Sequence, residues 1–409
     1  MHRILLILPY GSLGGMERLA LTFYHHYKSL GHDVKILKIV GLAGDMVSVG
    51  DDEIVLSNKD FHQMSTPARM FFYLRLPWMI RQAVKKHKIT HSVAFGDMAN
   101  MASSLSGTNE FKVASIHSLK SVEFLKPTML NKVFRFGYRN TYRYFDKVVC
   151  ISNAVKYDLL QSCGFAFPDR LQVIYNPHDI SMIRRLAEEP LDDASEKELF
   201  AHDVVLFVGR YSMAKAPWHL VKSFSLLVDR NPESRLVFIG DGSIDIEMYT
   251  RKLTERMGLE DKITFLGKKS NPYKYIKAAR CVALSSYFEG TPNVIVESLA
   301  LGVPVVSTNC TAGIGELMQP VHEPASDKKI FAIAGIITPP FLKGVPDYPQ
   351  NDDIIPEEVV FSEALETALC DPLVRERLQS SADSLLTKFD TADAARRYLE
   401  PIDSLEAKK

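Results

Sequence analysis

The chain has 409 residues, 46% apolar and 24% charged, which is ordinary for a globular protein and long enough for two domains with separate cores. Five scattered cysteines (Cys150, Cys163, Cys281, Cys310, Cys370) form no Cys-x-x-Cys pair, which argues against a zinc site or a disulfide framework and fits a reducing cytosol. The formal charge is zero, yet residues 61–150 hold 14 Lys and Arg against 4 Asp and Glu, so this stretch points to an anionic partner.

The N-terminal run Arg3 to Leu8 reads as a buried parallel strand. It is too short for a signal peptide and lacks a small-residue cleavage site. No stretch of the sequence approaches the roughly 18 apolar residues needed to span a bilayer. Pro9 to Gly15 forms a loop, Met16 to Leu30 a helix ended by Gly31, and Val34 to Val40 the next strand, a βαβ opening. The loop is not Gly-x-Gly-x-x-Gly and no acidic residue closes the second strand, which disfavours a nicotinamide cofactor. Gly14 and Gly15 suit either a tight turn or a close backbone approach to a ligand at the helix N-terminus.

A short strand is expected at Ile54–Leu56, then an amphipathic helix from Phe71 to His87, with Pro77 either kinking it or marking its start. Its terminal Lys85, Lys86 and Lys88 fit both a core helix and a membrane-surface element. His91–Phe95 and Phe111–Ile116 are further strands, the second followed by His117. A histidine there is either structural or points into the crevice where open α/β sheets bind ligands. Residues 118–147 interleave Lys120, Lys132, Arg135, Arg139 and Arg143 with Phe124, Phe136, Tyr138 and Tyr142. That pattern fits an interfacial helix on anionic lipid as well as an ordinary solvated one. No nucleic-acid-binding motif accompanies it, so nucleic acid is not an expected partner. Strands at Lys147–Ile151 and Leu171–Tyr175, with a helix from Ala154 between them, complete the first half, and the polar, acidic residues 180–202 read as an inter-domain connection.

The alternation restarts at Val204–Gly209, followed by Arg210 and Lys215, both able to reach a ligand from a strand end. A helix from Pro217 to Asp229, a strand at Leu236–Ile239, a helix to Met257, a strand at Ile263–Gly267 and a helix at Tyr273–Ala279 follow. Next comes the most informative stretch. A buried strand, Arg280 to Ser285, leads into Tyr287-Phe288-Glu289-Gly290-Thr291-Pro292 and a helix that holds Asn293, Val294 and Glu297. The first amides of that helix suit a phosphate, and the flanking carboxylates can accept hydrogen bonds from sugar hydroxyls. Val303–Thr308 is another strand, Asn309–Glu316 a glycine-containing loop, and Gly335–Thr338 a strand. Helices at Phe361–Leu369, Pro372–Thr387 and Asp390–Leu399 end the chain.

The pair Glu289 and Glu297, seven residues between them, resembles the glutamate motif of glycosyltransferase family 4 (glycosyl transferases group 1). Gly14-Gly15-Met16-Glu17-Arg18, His117 after its strand, Gly209-Arg210 with Lys215 five residues on, and the loop ending in Glu316 resemble further motifs of that family in the same order. Asn176-Pro177-His178-Asp179 departs from the family's Asn-Gly-Val-Asp. The resemblance implies the GT-B fold, α/β with two Rossmann-like doubly wound parallel-sheet domains facing across a cleft. The expected divisions are 1–180 on the acceptor side, 181–388 on the nucleotide-sugar donor side, and 389–409 as a helix returning to the first domain.

The resemblance also implies roles. Glu289 contacts donor-sugar hydroxyls, Glu297 the ribose, and the amides of Asn293 and Val294 the diphosphate. Gly14, Gly15 and Gly209 line the nucleotide sugar, Arg210 and Lys215 stabilise the leaving diphosphate, and His117 lies near the donor sugar. The sequence has no Asp-x-Asp pair, and no metal or cofactor is expected. The expected function is a retaining transferase, moving a sugar from a nucleoside diphosphate, UDP above all, to a lipid-linked or polysaccharide acceptor at the inner face of a membrane. The alternatives are a nucleotide-sugar epimerase of the same fold and a non-catalytic binding module.

Overall fold

The computed structural model describes residues 1–11, 15–42, 45, 47–124, 128–321, 329–341 and 346–402. The chain divides into two compact units, Met1–Pro177 with Phe389–Lys409, and His178–Lys388.

The first unit contains β1 (Arg3–Leu8), α1 (Gly15–Ser29), β2 (Asp33–Lys38), β3 (Glu53–Val55), α2 (Thr66–Lys86), β4 (His91–Phe95), α3 (Asp97–Ser104), β5 (Phe111–Ile116), α4 (Lys120–Glu123), α5 (Met129–Asn140), β6 (Lys147–Cys150), α6 (Asn153–Ser162) and β7 (Leu171–Val173). Its sheet is parallel throughout, in the order β3-β2-β1-β4-β5-β6-β7. Ile4 to Leu8 are fully buried, as a central strand covered on both faces requires. Ile4, Leu6 and Leu8 pack with Phe23 and Tyr27 of α1, whereas Leu5 and Ile7 pack with Leu76 and Ile80 of α2 and Ala99 of α3.

The second unit contains α7 (Ile180–Leu186), α8 (Ala194–Leu199), β8 (Asp203–Val208), α9 (Pro217–Arg230), β9 (Ser234–Ile239), α10 (Ile244–Arg256), β10 (Ile263–Gly267), α11 (Tyr273–Ala278), β11 (Cys281–Leu284), α12 (Asn293–Ala300), β12 (Val305–Thr308), α13 (Ala312–Met318), β13 (Ile330–Ala332), β14 (Gly335–Thr338), α14 (Pro356–Cys370) and α15 (Pro372–Leu386). Its sheet runs β10-β9-β8-β11-β12-β14-β13, parallel except for the β13–β14 pair. The last helix, α16 (Thr391–Leu399), belongs to the first unit. There the Tyr398 ring meets Phe23 edge-on at 4.7 Å and its hydroxyl bonds Ser115 Oγ at 2.8 Å. Tyr27 donates to the Ala395 carbonyl at 2.8 Å, and the buried Lys147 ammonium caps the carbonyls of Arg397 and Glu400 at the helix end.

Several expectations are corrected. Helix α2 begins at Thr66, and Pro77 lies inside it; burial of Leu76 and Ile80 against the sheet outweighs the cost of an interior proline. Residues 118–147 do not form one interfacial helix, because Tyr138, Tyr142 and Lys120 turn into the core and break it into α4, α5 and a short 3-10 turn. The 180–202 connection holds two helices, capped by Asp179 and Asp193 side chains that accept from Met182 N and Glu196 N. Residues 312–318 are helical rather than a loop. Among the described residues no helix is long and apolar enough to cross a membrane.

The α16 docking gives a stability prediction. Tyr398→Ala removes a fully buried ring and its hydrogen bond, and should cost about 3–5 kcal/mol in urea unfolding. A loss below about 1 kcal/mol would show that the helix is not part of the first unit's core.

Candidate active site

In each sheet the strand order reverses around one strand, β1 in the first and β8 in the second. Loops leaving the carboxyl ends on either side of such a point diverge and open a crevice. In the second unit those loops are Gly209–Ala216 after β8 and Ser285–Pro292 after β11, and they carry Arg210, Lys215 and Glu289.

Lys215 Nζ lies 2.5 Å from Glu289 Oε1, with the two side chains about one-fifth and one-eighth exposed. Ser286 Oγ donates to the same oxygen at 2.6 Å. Both bonds fall on Oε1; among the described residues Oε2 accepts none and stays open to a further donor. The backbone beneath is tied as tightly. Tyr287 N donates to Ala214 O at 2.7 Å, Ser285 Oγ to Lys215 O at 3.0 Å, and Thr308 Oγ1 to Ser286 O at 2.7 Å. Arg210 is exposed, and among the described residues its guanidinium has no ion-pair partner.

Glycines allow the neighbouring loops to approach. A Cβ on Gly240, which has φ +148°, would sit 1.8 Å from the Gly209 carbonyl oxygen, and one on Gly313 would sit 2.6 Å from that of Gly290. Gly313 therefore serves close packing inside α13, with Ile314, Leu317 and Met318 buried beneath it. Helix α12 starts after Pro292, which offers no side-chain cap, so the amides of Asn293 and Val294 are not capped by it. Glu297 is buried within this helix and has partners of its own. Cys310 lies close enough to Glu289 that burial first, and that carboxylate second, push its thiol up to about 12. It remains protonated and is no nucleophile.

In the first unit Gly15 opens α1, and among the described residues nothing lies within 4 Å of where its side chain would stand, while Gly14 lies outside the described residues. Glu17, two residues on, is buried, and that burial raises its pKa. His117 follows β5; its Nε2 is buried without a hydrogen-bond partner among the described residues, and its ring lies 5.8 Å from that of Phe95. Burial, with the Lys120 ammonium beside it, lowers its pKa to about 3. Lys120 is itself held by Asp97 at 2.9 Å and Glu123 at 2.8 Å, and Tyr138 donates to Asp97 at 2.6 Å. His117 is thus a neutral imidazole with an open nitrogen.

The structure brings Lys215 and Glu289 together and sets Gly209, Arg210, Asn293, Val294 and Glu297 in the same unit. His117 and Gly15 belong to the other. Sequence reasoning missed Ser286 and Thr308, whose only signal was their place at the carboxyl ends of buried strands.

Residues 13–182 match the family described as Glycosyltransferase Family 4, and residues 202–334 that described as Glycosyl transferases group 1. The chain is a glycosyltransferase of this family. Its fold is the two-domain α/β GT-B type. It is 25% identical over 280 residues to an uncharacterized glycosyltransferase of Methanocaldococcus jannaschii, covering 68% of this chain and 63% of that one. It is 28% identical over 315 residues to the N-acetylgalactosamine-N,N'-diacetylbacillosaminyl-diphospho-undecaprenol 4-alpha-N-acetylgalactosaminyltransferase of Campylobacter jejuni, covering 74% and 80% of the two chains. Among solved structures, Anabaena HepE in complex with UDP superposes with a TM-score of 0.70 at 19% identity, over 97% of this glycosyltransferase and 98% of that chain.

The His117 environment yields a pH prediction. The folded value lies below the ordinary one, so the stability that goes with a neutral ring is full above about pH 6.5 and is lost as pH falls toward the folded value. The His117 ring resonance, assigned by its loss in His117→Gln, should stay flat from about pH 8 to about pH 5. A midpoint near 6.5 would contradict the buried, neutral ring.

Proposed function

We propose that this enzyme transfers a hexosyl or N-acetylhexosaminyl group, with retention of configuration, from a UDP-sugar to a lipid-linked glycan acceptor. The observation that carries the reading is the Lys215–Glu289 pair: a cation and a carboxylate oxygen poised beside uncapped helix amides at a strand-order reversal. Diphosphate oxygens suit the amides of Asn293 and Val294 with Lys215 and Arg210, while Glu289 Oε2 accepts from a sugar hydroxyl and Glu297 from the ribose. In the second unit Gly209 lets the backbone approach the nucleotide sugar. In the first unit the neutral His117 offers a hydrogen bond to a polar ligand. The relative from Campylobacter is named for a diphospho-undecaprenol substrate, and HepE binds UDP, which supports a lipid-linked acceptor and a UDP donor.

Glu289 is already engaged by Lys215 and Ser286, which fits a holder of hydroxyls better than a nucleophile. Front-face attack follows, with the leaving phosphate oxygen taking the acceptor's proton. Catalysis is then mainly positioning and stabilisation of the departing diphosphate by Arg210, Lys215 and the α12 N-terminus, without a metal. The test is UDP release from UDP-glucose, UDP-galactose, UDP-N-acetylglucosamine and UDP-N-acetylgalactosamine with undecaprenyl-diphosphate glycans. Lys215→Ala and Glu289→Ala should each lower turnover about 10²–10³-fold. Wild-type rates in both would refute the assignment, and acceptor-independent conversion of UDP-N-acetylglucosamine would point to an epimerase.

An anionic membrane surface, at its cytoplasmic face, is the fitting location for such an acceptor. Met70, Phe71, Leu74 and Trp78 of α2 are each more than half exposed, and Arg75 lies over the Phe71 and Trp78 rings at 5.3 and 5.6 Å. Helix α5 exposes Met129, Val133 and Phe136 beside Lys132, and both helices pack on α3. The doubly substituted Leu74→Ser/Trp78→Ser protein should bind phosphatidylserine-containing vesicles at least about tenfold more weakly than wild type. Unchanged sedimentation with the vesicles would remove α2 from the interface.

A further inference from the structure

The loop that carries Glu289 is anchored through a buried polar chain that reaches α14. Tyr287, two residues before Glu289, is buried, and its hydroxyl has three neighbours: Trp218 Nε1 at 3.2 Å, His219 Nε2 at 2.8 Å and the Asp347 carbonyl at 3.3 Å. His219 Nδ1 lies 2.6 Å from Glu358 Oε1. Glu358 is fully buried, and Lys222 Nζ reaches the same oxygen at 3.0 Å while the Ile355 amide donates to Oε2 at 2.9 Å.

These contacts fix who donates to whom. Glu358 faces an ammonium and a backbone N–H, so its two oxygens act as acceptors. Nδ1 of His219 therefore carries the ring proton. Burial lowers the His219 pKa and keeps the ring neutral despite Glu358, which leaves Nε2 as an acceptor. The Tyr287 hydroxyl accepts from Trp218 and has two acceptors for its one proton, His219 Nε2 at 2.8 Å and the Asp347 carbonyl at 3.3 Å, and the shorter contact assigns the donation to His219. Phe341 stacks on the imidazole at 4.4 Å and holds the ring plane.

The placement of this chain in the sequence gives it a second effect. Trp218 and His219 open α9, three and four residues after Lys215. Between them Ala216 is held at φ +42°, a left-handed conformation that a residue with a Cβ adopts only when its surroundings impose it. Backbone bonds from Tyr287 to Ala214, and from the Ser285 hydroxyl to Lys215, lie on one side of Lys215, and the Tyr287–His219 bond lies on the other. The Lys215 segment is thereby held on both sides by Ser285 and Tyr287, just before Glu289.

We propose that Glu358, His219 and Tyr287 form a positioning relay that sets the Lys215–Glu289 geometry, so that three buried side chains away from the sugar nucleotide control its turnover. The proposal rests on the donor-site reading above. Ground-state binding tolerates a small offset, because the Lys215 stem is flexible; the transition state, where charge moves onto the diphosphate, does not.

The test compares Tyr287→Phe, His219→Asn and His219→Gln in the full chain, using whichever of the four UDP-sugars the wild type turns over. Asparagine places an N–H near Nδ1 and keeps only the Glu358 bond, whereas glutamine places an oxygen near Nε2 and keeps only the Tyr287 bond. Asparagine is one methylene smaller than glutamine, so the unfolding midpoint of each variant is measured beside its kcat, and a purely structural role predicts that kcat falls in step with the midpoint. We expect Tyr287→Phe and His219→Asn to lower kcat about tenfold with the Kd for UDP within about threefold of wild type, and His219→Gln to recover most of the rate. Wild-type kcat in Tyr287→Phe, alongside loss in Lys215→Ala, would overturn the relay alone. Equal kcat in the two His219 variants would overturn it too. Wild-type turnover by Lys215→Ala would overturn the donor-site reading and the relay with it.

Discussion

The ion pair between Lys215 and Glu289 is the constraint around which the carboxyl edge of the second unit's sheet is built. Two mostly buried opposite charges are a poor way to gain stability, because the desolvation of each offsets much of their attraction. Around this pair the surroundings are correspondingly tight. Ser286 shares the carboxylate oxygen, Thr308 holds the Ser286 carbonyl, and Gly240 and Gly313 let neighbouring loops close to backbone contact. A pair held this firmly is ready-made charge: an anion entering beside it meets a cation already desolvated, with no reorganisation needed at the moment of reaction.

The first unit solves a different problem, which is to recruit the end of the chain. Helix α16 is nine residues long and would not persist alone in water. It is retained by Tyr398 filling the space beside Phe23, by Tyr27 and Ser115 satisfying its polar groups, and by the Lys147 ammonium at its C-terminus. The buried Lys147 is therefore a cap, and its charge contributes nothing to the basic surface that the count over 61–150 suggests. Lys120, paired with Asp97 and Glu123, is likewise withdrawn from that surface.

Much of this architecture was legible in the sequence because buried parallel strands are short apolar runs bounded by turn residues. His91–Phe95, Phe111–Ile116 and Ile263–Gly267 have the expected ends. The failures have physical causes. Helix α2 starts at Thr66 rather than Phe71, with Pro77 in its interior, through packing that no local propensity encodes, and Gly313 of α13 permits close approach to Gly290 where composition alone suggests a loop. Residues 118–147 alternate basic and aromatic side chains, but only burial decides that Tyr138 and Tyr142 face inward while Phe136 faces out. At the site, Glu289 and Lys215 were visible as residues, yet their contact across 74 positions was not, and the relay through His219 and Glu358 spans 139.

The most direct test of this account is titration calorimetry with UDP on the wild type and Lys215→Ala. A diphosphate held by the α12 amides and the Lys215 ammonium predicts a saturable wild-type isotherm and an affinity at least about tenfold weaker in Lys215→Ala. Equal affinity in the two proteins would contradict the assignment of Lys215 to the diphosphate and, with it, the reading of the Lys215–Glu289 pair as the centre of the donor site.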